Sequence, residues 1–597
     1  MKINNVFKNQ FYSLNIVFKY SKSIFFLRLV LSITAGIIPA VIAYIYKLFI
    51  YNIGEFLVDN VILCLIILGG VIIFNSFLSS IIDYHLGFKI DCLRNKLKFD
   101  INEKISKMDY EILFDSDTKT KIEMAKYAAN NDIILNYINS VYSLISSVIG
   151  IVSVGYILSS LSLWFLLVLL ILLILKMLVS YTNRKRGYQF QEKIAPINKE
   201  IFYYMGVFSN DAFANEMRMN STAKIIVSKY ENLLYKSNGI FKKFSKFILK
   251  NNLLRNIIYV LEQILFYGFL AYQMLYNNMS FADFTMCISA LGIISNNFKN
   301  AIDNIIQCIT NSLYVDHLRD FMNIENKIAV DNKGILINEI DKKTENVITI
   351  ENVSFTYPFT QKLILKKVNL TFKKDNFYVV VGRNGAGKTT LIKLLCRLYD
   401  PIDGKINYFN ENIKNIEYRS YRNNIGIVFQ NYQYYEMSIA ENVALDKYDG
   451  SDEVKSKIYA SLAKAGLKEK IDSLEKGILT QLGTSFCKEG ILLSGGELQK
   501  LALARVIFSD CSIAILDEPS SALDPIAESE LIDLFKKRLE NKMVIYVSHR
   551  LSVASIADKV IFVNNNTIQG FDTHDNLMKN DNEYYKLYYS QASKYKI

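Results

Sequence analysis

Histidine is scarce in this 597-residue chain, with four in all, and the seven cysteines (Cys64, Cys92, Cys287, Cys308, Cys396, Cys487, Cys511) never form a C-x-x-C pair. Zinc sites and disulfide frameworks need ligands or partners at short, repeated spacings. Their lack excludes both, along with a histidine-based metal cluster, and the cysteines read as small, reduced core residues. The first apolar run begins near Ile24 with no small-residue cleavage site, so a removable signal peptide is a poor fit. Charge is thin as well. Charged residues reach 21%, below the usual quarter, whereas hydrophobic residues reach 51% and mean hydropathy is positive. At this length one hydrophobic core is not enough, and several domains are expected.

What the chain does have is long apolar runs. Six occur before about residue 310, at roughly 24–46, 56–83, 136–158, 161–181, 256–276 and 282–306. A helix of ~20 apolar residues crosses a ~30 Å hydrocarbon core, and each run is that long. The net charge of +12 could mean nucleic acid, anionic lipid or basic loops beside a membrane, so its placement decides. Connection 86–135 holds nine Lys/Arg and connection 183–255 holds fourteen, whereas the three short connections share only Lys47. Positive loops stay inside, which puts the long connections and both termini in the cytoplasm and leaves no need for a nucleic-acid partner. Trp164, the sole tryptophan, marks the outer edge of the fourth run. The long connections have helical spacing, so the spans are expected to continue into the cytosol. Residues 1–22 read as an interfacial helix, 23–314 as the six-span domain among membrane lipids, 315–345 as a linker, and 346–597 as an α/β domain. Only ~20 residues precede the first span, so no leader-cleaving peptidase domain is expected there.

The chemistry lies in the last part. "GRNGAGKT" follows the strand-like "FYVVV" and precedes a helical run. It fits G-x-x-x-x-G-K-[ST] in the strand–loop–helix setting that this motif requires. Gly382, Arg383, Asn384, Gly385, Ala386 and Gly387 are thereby expected to wrap a phosphate chain in backbone N–H groups, with Thr390 on the helix that follows. Lys388 would reach the β- and γ-phosphates of ATP, and the Thr389 hydroxyl would bind Mg²⁺. A second apolar strand ends in Asp517 and Glu518, read as metal partner and general base. A third ends at His549, expected at the same sheet edge as a γ-phosphate contact. A further signal is "LSGGELQK": Gly495 and Gly496 open a helical run after Ser494, which suggests a close approach to the backbone there.

These ordered motifs resemble the nucleotide-binding domain of ABC transporters, and nearly the whole chain resembles an exporter-type half-transporter. The resemblance implies an all-α six-helix transmembrane domain of the type IV exporter fold, followed by an α/β P-loop ATPase domain. It implies that Tyr357 stacks on adenine and that Gln430 touches Mg²⁺ and the attacking water. "LSGGE" is then the signature motif, with Glu497 in place of the commoner glutamine, Asp524 in "SALD" belongs to the D-loop, and His549 is the switch histidine. Ser494, Gly495, Gly496 and Glu497 are implied to meet the ATP of a second subunit, in a homodimer by preference or a heterodimer. Coupling helices are expected near 114–120 and 210–216. Glu262 and Gln263, inside the fifth span, are candidates for a substrate cavity, unless Glu262 is hydrated or paired with a residue such as Arg255. The implied function is ATP-driven export of a peptide or an amphipathic or lipophilic small molecule at the cell membrane of a low-GC Gram-positive bacterium. An ATP-gated channel, a sensor or an importer on the same fold stays open as the alternative.

Overall fold

Unbroken Leu/Ile/Val/Phe runs form helices in the computed structural model, and the helices extend well past the apolar runs that start them. The structure describes residues 3–158, 163–277, 279–328, 334–358, 360–519 and 542–592. The first unit holds residues 1–106 and 120–324. Its described helices are α1 (Ile3–Tyr20), α2 (Lys22–Gly54), α3 (Val58–Ser106), α4 (Ser116–Asn130), α5 (Ile133–Leu158), α6 (Leu163–Ser209), α7 (Asp211–Met219), α8 (Ala223–Tyr276) and α9 (Phe281–Met322). At a rise of 1.5 Å per residue, α3 (49 residues) and α8 (54 residues) are about 74 and 81 Å long. A ~30 Å hydrocarbon core takes up less than half of either helix. The basic connections are therefore helical, as their spacing predicts.

Among the described residues, α2, α3, α5 and α8 are long and apolar enough to cross a membrane. The fourth expected span lies in α6, where part of the side chains fall outside the description. The sixth lies in α9, where Asn, Ser and Lys dilute the apolar stretch. The unit's buried centre joins Val154 of α5, Phe266 and Leu270 of α8, and Cys287, Ala290 and Leu291 of α9. Asn9 of α1 is buried and donates to Ser312 Oγ (2.8 Å) and to its carbonyl (2.9 Å), which ties the first helix to α9. By contrast α3 turns Ile66, Ile73, Phe74 and Phe77 outward, each more than 60% exposed.

The second unit holds residues 325–597 together with 107–119. Asp109 fastens the inserted segment, accepting the backbone N–H groups of Lys327 (2.6 Å) and Ile328 (3.0 Å). The expected linker 315–345 is thus divided, since α9 runs to Met322 and Ile335 already bridges to Ile416. An antiparallel sheet has the order β2 (Leu363–Lys373), β1 (Asn346–Thr356), β4 (Asp403–Tyr408), β5 (Glu411–Asn412). A second sheet has the order β10 (Thr567–Asp572), β9 (Lys559–Asn564), β3 (Phe377–Gly382), β8 (Met543–Val547), β7 (Ile513–Asp517), β6 (Ile425–Val428). Its pairs from β9 to β6 are parallel, and only β10 is antiparallel. Every residue of β3, β7 and β8 is buried. Such two-sided burial explains the continuous apolar runs in these strands.

Candidate nucleotide site

Parallel strands deliver their carboxyl ends to one sheet edge, and ligands bind there. β3, β7 and β8 are neighbours, so Gly382, Asp517 and Ser548 arrive together although they lie far apart in sequence. The loop after β3 needs its glycines. Gly382 has φ +153° and Gly387 has φ +110°, and a Cβ on Gly382 would lie 2.1 Å from the Val563 carbonyl oxygen. Lys388 opens helix α10 (Lys388–Leu395) and is buried. Its ammonium donates to the carbonyls of Gly382 (2.9 Å) and Arg383 (3.1 Å), so it sits across the mouth of the loop. Burial lowers its pKa below the usual lysine range.

The two acids at the end of β7 have different surroundings. Asp517 is buried, and its pKa is pushed up to about 6, first by burial and then by the charge of Glu518. Glu518 has φ +52°, a left-handed conformation that a glutamate adopts only under constraint. Its N–H donates to the Val547 carbonyl (3.0 Å), and its carboxylate accepts from Gln430 Nε2 (2.8 Å). His549 Nε2 reaches the same carboxylate. Lys388 Nζ lies 3.2 Å from His549 Nδ1. An ammonium only donates, so Nδ1 accepts and Nε2 carries the proton toward Glu518. Burial, followed by the Lys388 charge, lowers the His549 pKa, which agrees with a neutral ring. Lys388, His549, Glu518 and Gln430 therefore form one continuous chain of contacts.

Tyr357 is wedged into an aromatic cluster, edge-on to Tyr399 (5.5 Å between centroids) and to Phe355 (5.2 Å). Its hydroxyl shares a hydrogen bond with Thr390 Oγ1 (2.9 Å). Tyr110 of the inserted segment joins the cluster through Tyr399 (5.6 Å). The Lys393 ammonium lies 5.9 Å from the Tyr110 ring and 5.5 Å from the Tyr357 ring. Ser494 caps helix α11 (Gly495–Phe508), whose first residues are the glycine pair. Glu497 completes a capping box by accepting the Ser494 N–H at 2.8 Å. Glu497 thus keeps a bond that a glutamine oxygen could also accept, and adds a negative charge at the helix start. A Cβ on Gly495 or Gly496 would meet open space. Asp524 lies outside the described residues.

The geometry agrees with the sequence comparisons. The ABC transporter family model matches residues 365–521. The chain is 28% identical over 596 residues to the subtilin transport ATP-binding protein SpaT of Bacillus subtilis, covering 96% of this chain and 92% of that one. The chain is similar to ABC transporters over nearly its whole length. It is also 32% identical over 407 residues to the nisin transport ATP-binding protein NisT of Lactococcus lactis, and that match spans 66% of this chain and 65% of NisT, just under two thirds of the relative's length. The solved structure of a bacterial Atm1-family ABC exporter with ATP bound superposes with a TM-score of 0.81 at 17% identity, covering 96% of this chain and 98% of that one. That match shows the exporter fold.

The candidates in the first unit fare differently from each other. A cavity of about 430 Å³ lies between α6, α8 and α9, and Gln263 lines it, whereas Glu262 does not. Glu262 is wholly buried and pairs with Lys176 of α6, not with Arg255. Sequence reading passed over Lys176, although a lysine within "LLILKMLVSY" was itself a signal. It also passed over Tyr399 and Gln591, whose roles come only from folding. The first coupling-helix candidate overlaps the 107–119 insertion of the second unit, and the second begins the short helix α7.

Proposed function

We propose that this protein is an ABC transporter, an ATP-driven exporter that works as a dimer of two such chains and moves a peptide or another amphipathic molecule across the cell membrane. The observation that carries this reading is the contact chain Lys388–His549–Glu518–Gln430 at one sheet edge, in a chain whose other unit presents a helix with an apolar outer face. An apolar surface that size is poorly tolerated in water and suits lipid or a partner subunit. The relatives named for nisin and subtilin transport support a peptide cargo.

In this reading Glu518 takes the proton of the water that attacks the γ-phosphate, while Gln430 and His549 hold its carboxylate in place. Lys388, now bonded to the carbonyls of its own loop, turns to the β- and γ-phosphates. Tyr357, fixed by Tyr399, Phe355 and Thr390, offers a rigid ring to adenine. The residues also suit a magnesium ion. Asp517 Oδ1 is buried without a hydrogen-bond partner, and the Thr389 hydroxyl and Gln430 would join it in holding the ion. When bound, the ion neutralises charge on the β- and γ-phosphates. Ser494, Gly495, Gly496 and Glu497 form a helix start with open space before it, suited to the phosphate of a nucleotide held by a second subunit. Asp524 belongs to the same interface. One chain supplies half of each site, and two copies of this chain would complete both.

Reconstitution in sealed vesicles tests the reading. An exporter accumulates cargo saturably and only while ATP is hydrolysed. Passive flux that needs bound ATP but no turnover would overturn it in favour of a channel.

A further inference from the structure

The cavity between α6, α8 and α9 is basic in a way that the nucleotide chemistry does not explain. Three cations line it, Lys176, Arg255 and Lys299, and among the described residues no carboxylate does. Lys176 is answered from behind by the buried Glu262, and it also reaches Ser295 Oγ at 3.2 Å. Arg255 and Lys299 pair with no carboxylate among the described residues, so the cavity keeps two uncompensated positive charges. Charge at membrane depth is costly unless paired or hydrated, and it marks function by default. Each cation lies toward the end of its apolar run that adjoins, directly or through the chain end, the same side of the membrane. Arg255 just precedes run 256–276, Lys299 falls in the last third of run 282–306, and Lys176 falls in the last third of run 161–181. Loop charge places that end inside the cell. Tyr267, Ile288 and Ile302 add an apolar wall beside the cations.

We infer that this cavity binds the oxyanion head, carboxylate or phosphate, of an amphiphile, and that the exported cargo carries such a group. The inference deepens the export reading and depends on it only for the word cargo. Glu262, the carboxylate that would have recognised a cationic cargo, is already engaged by Lys176. Two open cations within one small cavity form a paired donor site for an anion, and the apolar wall takes the chain attached to it.

The test uses the full-length protein in phosphatidylcholine nanodiscs without nucleotide, with direct binding of dodecyl phosphate, dodecanoate and dodecyltrimethylammonium. Both anions should bind at least tenfold more tightly than the cation. The R255Q/K299Q double variant should lose at least tenfold for the anions, and the charge-keeping R255K/K299R variant should retain them, with monodisperse elution and unchanged helicity as the check on folding. Equal affinity for the cation, or unchanged anion binding in R255Q/K299Q, would overturn the site. Inorganic phosphate that competes as well as dodecyl phosphate would overturn the amphiphile assignment in favour of a free anion. Export fails separately: anion binding without ATP-driven movement of the same probe in vesicles refutes the transport reading and leaves the site standing.

Discussion

Gln591 brackets His549. Its side-chain amide donates to the His549 carbonyl at 2.9 Å, and its side-chain oxygen accepts the Leu551 N–H at 3.0 Å. The last described helix, α12 (Asn582–Ala592), thereby holds both sides of the loop that presents the histidine to Glu518. Each such hydrogen bond contributes about 1 kcal/mol net. Replacing Gln591 with alanine is expected to lower ATPase kcat about threefold to tenfold while leaving the KM for ATP nearly unchanged. Steady-state kinetics on the variant decide it, and a change confined to KM would place Gln591 outside the hydrolytic step.

Glu518 is the proposed general base, held by two side chains in a left-handed backbone conformation. A positioned base contributes about 10²- to 10⁴-fold to rate. Glu518→Gln should cut hydrolysis by that range and preserve nucleotide binding, because amide and carboxylate have nearly the same shape. Turnover and ATP affinity measured on the same preparation give the answer. Near-normal hydrolysis refutes the role.

Gly382 tolerates no side chain. Its φ is positive, and the Val563 carbonyl oxygen would stand 2.1 Å from any Cβ placed there, with rigid backbone on both sides. Gly382→Ala should push β3 away from β9 and cost about 2 kcal/mol or more, in the range of overpacked cores. Expected results are a lower thermal midpoint and weaker ATP binding together. Wild-type values for both would show that the loop shifts freely.

The capping box at the signature helix is pH-sensitive. Glu497 has a pKa below the usual carboxylate range, chiefly through the Ser494 N–H it accepts. A carboxylate with a depressed folded pKa stabilises at pH above its unfolded value of about 4.3 and loses that contribution as pH falls through the folded one. The side chain keeps about a quarter of its surface exposed, so screening keeps the effect small. Amides in the first turn of the helix should exchange faster as pH drops below about 4 than intrinsic rates predict. Glu497→Gln should remove that extra dependence. An identical profile in both proteins counts against the cap.

Much of the ATPase unit was legible before folding, because its signals are local. The eight residues Gly382–Thr389 carry their own turn chemistry, and buried parallel strands advertise themselves as unbroken apolar runs ending in Asp517 and His549. Glu497 was legible as a departure from glutamine, but its reciprocal bond with Ser494 appears only in the fold. The long helices that continue past the apolar runs followed from helical spacing. The limits of the linker did not, since α9 keeps its helical path for several residues after the apolar pattern fades.

By itself, then, the sequence determined the order of the units, the phosphate loop and the acids at the strand ends, all set by contiguous residues or by a single strand's direction. Tertiary structure alone decided which distant groups meet. Lys176 and Glu262 are 86 positions apart and lie on different helices, and their pairing depends on how α6 packs against α8. Gln591 finds His549 only because a terminal helix folds back over the strand edge. Neither pair leaves a periodic or local trace, because side-chain contact across elements depends on packing, which no sequence window contains. Whether Glu262 faced a cavity or a counter-ion was such a question. The fold answered it with a lysine, and left the cavity basic.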